Sequence, residues 1–260
     1  MNMKKAILVV SFGTSFEETR KKTIDRIEDD IRAAYPDFAL YRAWTSGMII
    51  RKLRKRDGII VDTVPEAVER MISDGVGELV VQPTHILNGI ENDLMKEAVL
   101  KRAGAFDKVV FGDPLLTLLE DNFSVIKAVM EEFKGIADDE ALVFMGHGTE
   151  HYANNVYAAL DYTFKDLGYK NVFVGTVEGY PEFGNIERLL DEHGYKKVTL
   201  APFMVVAGDH ATNDMAGDGG DSWKSRLEAG GVKVSCTVRG LGEYPGVRQM
   251  YIGHIKRATG

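Results

Sequence analysis

Two hydrophobic periods alternate along the chain. Near-continuous apolar runs at 6–12 (AILVVSF), 38–44 (FALYRAW), 78–87 (ELVVQPTHIL), 140–146 (EALVFMG), 171–177 (NVFVGTV), 197–206 (KVTLAPFMVV) and 232–238 (VKVSCTV) predict seven strands. Between them, apolar residues recur three and four apart. The stretch 15–36 carries Ile24, Ile27 and Ile31 on one face and is stopped by Pro36. Helical patterns follow at 47–56, at 63–76 with proline near its start and glycine near its end, at 157–168 and at 183–194. Within 123–140, where the boundary between halves is expected, a further helix ending at Gly135 reads as a connection. Strands that are apolar on both faces, with helices between them, mean parallel sheet covered on both sides and an α/β protein.

The order of elements repeats. Ala6–Thr14 lies over Ala141–Thr149 without a gap, so that Phe12 matches His147. The stretch 68–83 lies over 186–202 with one inserted residue, bringing Pro83 onto Pro202. Beyond these prolines come Gly89 and Gly208, then Glu91 and His210. Three matches in one order indicate a duplicated α/β unit. The halves are expected at 1–125 and 126–260, the second carrying His147, Glu178 and His210. A terminal helix at 244–259 is expected to pack back on the first half. Ligands of open parallel sheets bind outside the carboxyl ends of strands. The duplicated halves therefore predict a cleft, into which imidazoles from opposite lobes converge.

Composition narrows the function. Apolar content of 45% with 27% charged residues is ordinary for a globular chain, and a net charge of −7 argues against nucleic acid as a partner. No apolar run approaches the ~18 residues of a membrane span, and the apolar run near the start is short for a signal segment. The single cysteine, Cys236, lies in an alternating strand pattern, permits no internal disulfide and fits a reducing cytoplasm. No glycine-rich phosphate cradle, EF-hand, nucleophile elbow or Cys/His pair is present, which leaves a metal or proton-transfer site.

Four chemically capable residues follow apolar strands: Glu91, His147, Glu178 and His210. Two imidazoles with one or two carboxylates suit a divalent transition metal. Sequence spacing does not show that they meet, and each histidine alone is equally readable as a loop or capping residue. His151, four after His147, is separated from it by Gly-Thr and reads as cleft lining. His85 is a contact near the site or a structural residue. His193 reads as a cation at a helix end, and His254 as surface or packing.

The motifs VVSFGTSF, PTHILNGIEND, MGHGTEHYANNVY, TVEGYP and APFMVVAGDHATNDMAGD, spread over the whole chain, resemble the anaerobic, ATP-independent class II sirohydrochlorin cobaltochelatases of cobalamin biosynthesis. The resemblance implies two Rossmann-like or flavodoxin-like halves, each a parallel sheet flanked by helices, around a tetrapyrrole cleft. It implies a cytoplasmic lyase that inserts Co²⁺ into sirohydrochlorin or precorrin-2 with loss of two protons. No nucleotide or haem is required. His147 and His210 become catalytic and metal-binding residues, Glu178 a metal ligand and Glu91 a catalytic carboxylate. Phe12, Thr14, His85, Gly89 and His151 become substrate contacts, and Arg42, Arg51, Lys52 and Arg54 candidates for the substrate's carboxylates. Partners are a tetrapyrrole and a divalent metal, with no membrane, and a homo-oligomer is compatible with the sequence. The alternatives are an iron or nickel chelatase acting on a related ring, a metal or tetrapyrrole carrier, and an unrelated two-lobed binder of a small metabolite.

Overall fold

The computed structural model describes residues 4–260. Two compact units divide the chain: one runs to Asp121 and takes in Pro245–Gly260, the other spans Asn122–Tyr244. In the first unit the order is β1 (Lys4–Ser11), α1 (Glu17–Lys22), α2 (Ile24–Ala34), β2 (Ala39–Trp44), α3 (Gly47–Asp57), α4 (Val64–Ser73), β3 (Val76–Pro83), α5 (Ile90–Leu100) and β4 (Lys108–Phe111). Then come α6 (Leu119–Glu132), within which the division falls, β5 (Ala141–Gly146), α7 (Asn155–Asp166), β6 (Val172–Thr176), α8 (Phe183–Glu192), β7 (Lys197–Pro202), α9 (Trp223–Ala229) and β8 (Lys233–Cys236). The last element, α10 (Pro245–Thr259), belongs with the first unit.

Each unit is built on a four-stranded parallel sheet, ordered β2-β1-β3-β4 and β6-β5-β7-β8. The same order in both units is what a duplicated α/β segment produces. Buried strand residues such as Leu8, Val10, Leu79 and Val81 pack with Val64, Val68 and Met71 of α4. In the second unit Val143, Met145 and Leu200 pack with Ile186 and Leu190 of α8. Helix α4 begins as its sequence predicts. Thr63 accepts from the Glu66 N–H while the Glu66 carboxylate accepts from the Thr63 N–H, and a proline occupies the first turn.

The structure departs from the expected elements in four places. There are eight strands among the described residues, because β4 also forms. With one exposed and three half-buried residues at a sheet edge, it lacks the long apolar run that marks the others. The single helix expected at 15–36 breaks at Thr23, whose hydroxyl donates to the Thr19 carbonyl at 2.6 Å and whose backbone leaves helical geometry. Strands β3 and β7 stop at Pro83 and Pro202, short of the predicted ends. Helices α5 and α9 form in addition to the helices expected from the sequence. His254, expected at the surface or in packing, is buried. Its Nδ1 lies 3.0 Å from the Asp113 carbonyl and its Nε2 3.1 Å from an Asp121 carboxylate oxygen.

Candidate metal centre

Three neighbouring strands of the second unit deliver the site. Central β5 ends at Gly146, where a side chain would sit 2.4 Å from the ring of Tyr157 on α7, and His147 follows at once. Gly148 adopts φ +84°, and a Cβ there would lie 2.6 Å from the Gly179 nitrogen and 2.8 Å from the Glu178 carbonyl carbon. Only glycine lets the two loops approach this closely. The Glu178 N–H, two residues beyond β6, donates to the His147 carbonyl at 2.7 Å. On the other side of β5, the chain leaves β7 and reaches His210 at the start of one wide π-helical turn, His210–Met215. Such turns recur at functional sites.

Donor atoms of His147, Glu178 and His210 all lie within 4.8 Å of one another. The two imidazole centroids are 4.8 Å apart with planes at 89°, and His147 Nδ1 lies 3.7 Å from Glu178 Oε2. Side-chain exposures of 46%, 58% and 33% for His147, Glu178 and His210 leave all three open to an incoming ion. His147 Nδ1 is 2.9 Å from the Gly148 carbonyl, which only accepts, so Nδ1 donates this bond and the neutral ring keeps its lone pair on Nε2. Two imidazoles and one carboxylate are a donor set for a divalent transition ion, and three ligands leave coordination positions open. Glu178 also lines a cavity of about 470 Å³ with Glu182, Phe183, Trp223 and Arg226.

The loops are pinned by residues that the sequence reading passed over. Asn154 accepts from the Thr149 N–H at 3.0 Å and donates to the Tyr180 carbonyl at 2.7 Å, joining the loop after His147 to the loop after Glu178. The phenol of Tyr157 is bonded by the backbone N–H groups of His147 and Gly148; burial pushes its pKa up to about 12, so it stays neutral. Asp214 lies 2.6 Å from His210 Nδ1. An acid four residues after a histidine was a readable signal for this last contact; nothing in the sequence marked the other two.

The remaining candidates are placed as follows. Both imidazoles of the metal group come from one unit, which corrects the expectation that they arise from opposite lobes. They are delivered by adjacent strands β5 and β7 of the same sheet. The repeat explains why the first unit holds no equivalent pair. There Phe12 stands at the His147 position, and Ser46, whose N–H donates to the Phe12 carbonyl, stands where Glu178 donates to His147. Phe12 is exposed, while Thr14 is buried and accepts from the Phe16 N–H. Gly89 and Glu91 begin α5, and Glu91 is not among the grouped donors. His151 uses Nδ1 to accept from the Ala153 N–H, and its ring lies 4.0 Å from that of Tyr152, tilted by 37°.

Both ring nitrogens of His85 are out of solvent without a hydrogen-bond partner, and burial lowers its pKa to about 4. Arg42 is committed to Glu28 and Asp25, which removes it as a free anion site, whereas Arg51, Lys52 and Arg54 are exposed on α3. His193 ends α8 with Nδ1 2.8 Å from the Leu189 carbonyl. Burial raises the pKa of the Cys236 thiol, which keeps it protonated and unreactive. No helix among the described residues is long and apolar enough to cross a membrane.

A family model described as cobalt chelatase (CbiK) matches residues 5–260. A sirohydrochlorin cobaltochelatase of Salmonella typhimurium is 43% identical over 256 residues, covering 98% of this chain and 97% of the relative. The sirohydrochlorin cobaltochelatase CbiKC of Nitratidesulfovibrio vulgaris is 34% identical over 262 residues, covering 98% and 91%. Among solved structures, SirB from Bacillus subtilis with Fe³⁺ superposes with a TM-score of 0.68 at 16% identity, covering 98% and 95% of the two chains. CbiX, the terminal enzyme of sirohaem biosynthesis in denitrifying bacteria, gives 0.55 at 17% identity, covering 98% and 99%. The two structural likenesses support the α/β fold.

Proposed function

Because the chain belongs to the cobalt chelatase (CbiK) family, we propose that it inserts Co²⁺ into sirohydrochlorin, with His147, Glu178 and His210 as the groups that receive the ion. The observation that carries this reading is the convergence of two imidazoles and a carboxylate on one point, half-exposed and without a thiolate. Such a set holds a divalent ion while leaving coordination positions for ring nitrogens. Soft thiolates would retain the metal, and none is near.

Insertion requires the macrocycle to lose two pyrrole protons. An imidazole whose Nε2 lone pair is free can accept such a proton. His147 and His210 therefore have two roles in succession, ligand first and proton acceptor as the ion passes to the ring. Glu91, in the first turn of α5, is proposed as a further catalytic carboxylate that assists metal entry or proton removal. Phe12, Thr14, His85, Gly89 and His151 are proposed substrate contacts, of which Thr14 is largely buried and acts through its loop. The exposed cations Arg51, Lys52 and Arg54 are the proposed partners of the substrate's carboxylates. A reducing cytoplasm is the proposed compartment, supported by the single cysteine.

The test is anaerobic turnover of sirohydrochlorin with Co²⁺, Ni²⁺ and Fe²⁺ in parallel, followed by the pigment's absorption bands. Catalytic turnover fastest with Co²⁺ is the expected result, lost in His147→Ala and His210→Ala while both variants stay folded. A stoichiometric spectral change would indicate a carrier, and near-normal turnover in both variants would refute the residue assignment.

A further inference from the structure

The segment after β7 is an anchored platform. Ala211 and Met215, four residues apart, are both fully buried and fasten the turn His210–Met215 to the unit's core. His210 and Asp214, each one position earlier, stand together on its open side. Asp214 Oδ2 is 2.6 Å from His210 Nδ1, and among the described residues this carboxylate makes no hydrogen bond to a backbone amide. A carboxylate at neutral pH has no proton to give, so a contact of this length needs the proton on Nδ1. In the neutral ring the lone pair is then on Nε2, the only nitrogen able to bind a metal ion. Which nitrogen of an imidazole is free is set by the hydrogen bond that the other one makes.

We propose that Asp214 is a positioning residue of the metal centre. It holds His210 in the Nδ1–H form, with the ring turned edge-on to His147, so that Nε2 is presented to the incoming divalent ion. The identity of that ion rests on the chelatase reading above; the tautomer does not. At His147 the same task falls to the Gly148 carbonyl, 2.9 Å from Nδ1. The two ligands are thus prepared by different acceptors, one of them a backbone group that no substitution removes. Asp214 is the one of the two that mutation can test.

The experiment compares the full-length wild type with Asp214→Ala and Asp214→Asn. Long-range ¹H–¹⁵N NMR of the metal-free protein reads the protonated nitrogen of His210, assigned by the signals missing in His210→Ala. The wild type should show Nδ1–H. Asp214→Ala should shift the ring toward Nε2–H and weaken Co²⁺ binding, by calorimetry, about 10- to 100-fold, as is typical for loss of a carboxylate behind a histidine ligand. Asp214→Asn, whose amide oxygen accepts the same bond, should recover most of that loss. The proposal is overturned if wild-type His210 carries its proton on Nε2. It is equally overturned if Asp214→Ala leaves the tautomer or the Co²⁺ affinity unchanged, or if Asp214→Asn recovers nothing. Absence of pigment turnover in the wild type, with the NMR and binding arms as expected, would sink the chelatase reading and support the positioning role.

Discussion

Replacing Gly148 by alanine should damage the metal centre without touching a ligand. The residue sits at φ +84°, where an L side chain costs about 1–2 kcal/mol. Its Cβ would meet the Gly179 nitrogen at 2.6 Å, where ordinary contact begins at 3.4 Å, so the Glu178–Gly179 backbone must retreat by the difference, about 0.8 Å. That retreat stretches the 2.7 Å bond from the Glu178 N–H to the His147 carbonyl, at a further cost of about 1 kcal/mol. The summed loss of about 2–3 kcal/mol corresponds to a fall in melting temperature of roughly 4–12 °C for a chain of this size. A ligand displaced by nearly 1 Å within a group spanning 4.8 Å should lower turnover on the order of 100-fold. Calorimetric Co²⁺ titration and pigment absorption measure the site, and a thermal melt measures the fold. Gly253→Ala in α10, where a Cβ meets nothing within 4 Å, serves as control. A Gly148→Ala protein with wild-type Co²⁺ affinity and turnover would refute the claim that loop contact sets ligand geometry.

Three further outcomes follow from contacts around the site. Tyr157→Phe strips the acceptor from the backbone N–H groups of His147 and Gly148 and should cost about 1–3 kcal/mol in a urea melt; unchanged stability would show those groups satisfied elsewhere. Asn154→Asp replaces the amide donor to the Tyr180 carbonyl with a repelling oxygen, so turnover should fall while the Thr149 contact survives; full activity would count against a tie between the loops. His85 is neutral in the fold with a pKa of about 4 against ~6.5 unfolded, so between those values only the unfolded chain takes up the proton. Stability should therefore rise with pH across that window, by up to about 3 kcal/mol, and fall as pH drops through it. His85→Leu should flatten this slope in melts at pH 4.5 and 7, and an unaltered slope would contradict the burial of the ring.

Hydrophobic period carried most of the fold. Seven of the eight described strands were marked by apolar runs, and the β4 edge strand escaped because three half-buried residues after an exposed lysine make too weak a pattern. The two matched segments predicted equivalent units, and the sheets share one strand order. Thr23 was invisible as a helix break, since its hydroxyl bond to the Thr19 carbonyl competes with helix geometry only once the chain is placed.

At the site, the residue types His147, Glu178 and His210 and their positions after strands were legible, because the chemistry of a ligand is a property of its side chain. Their convergence was not. It depends on β5 lying between β6 and β7, on Gly148 admitting the Glu178 loop, and on a buried Ala211–Met215 face orienting His210. The expectation of opposite lobes was at odds with the numbering itself, which already sets both histidines in the second half. Period and composition report what each segment buries, whereas distances between segments remote in sequence are set by sheet order and loop packing. Local sequence thus determined the elements and the kinds of donor. Tertiary structure alone decided which donors meet.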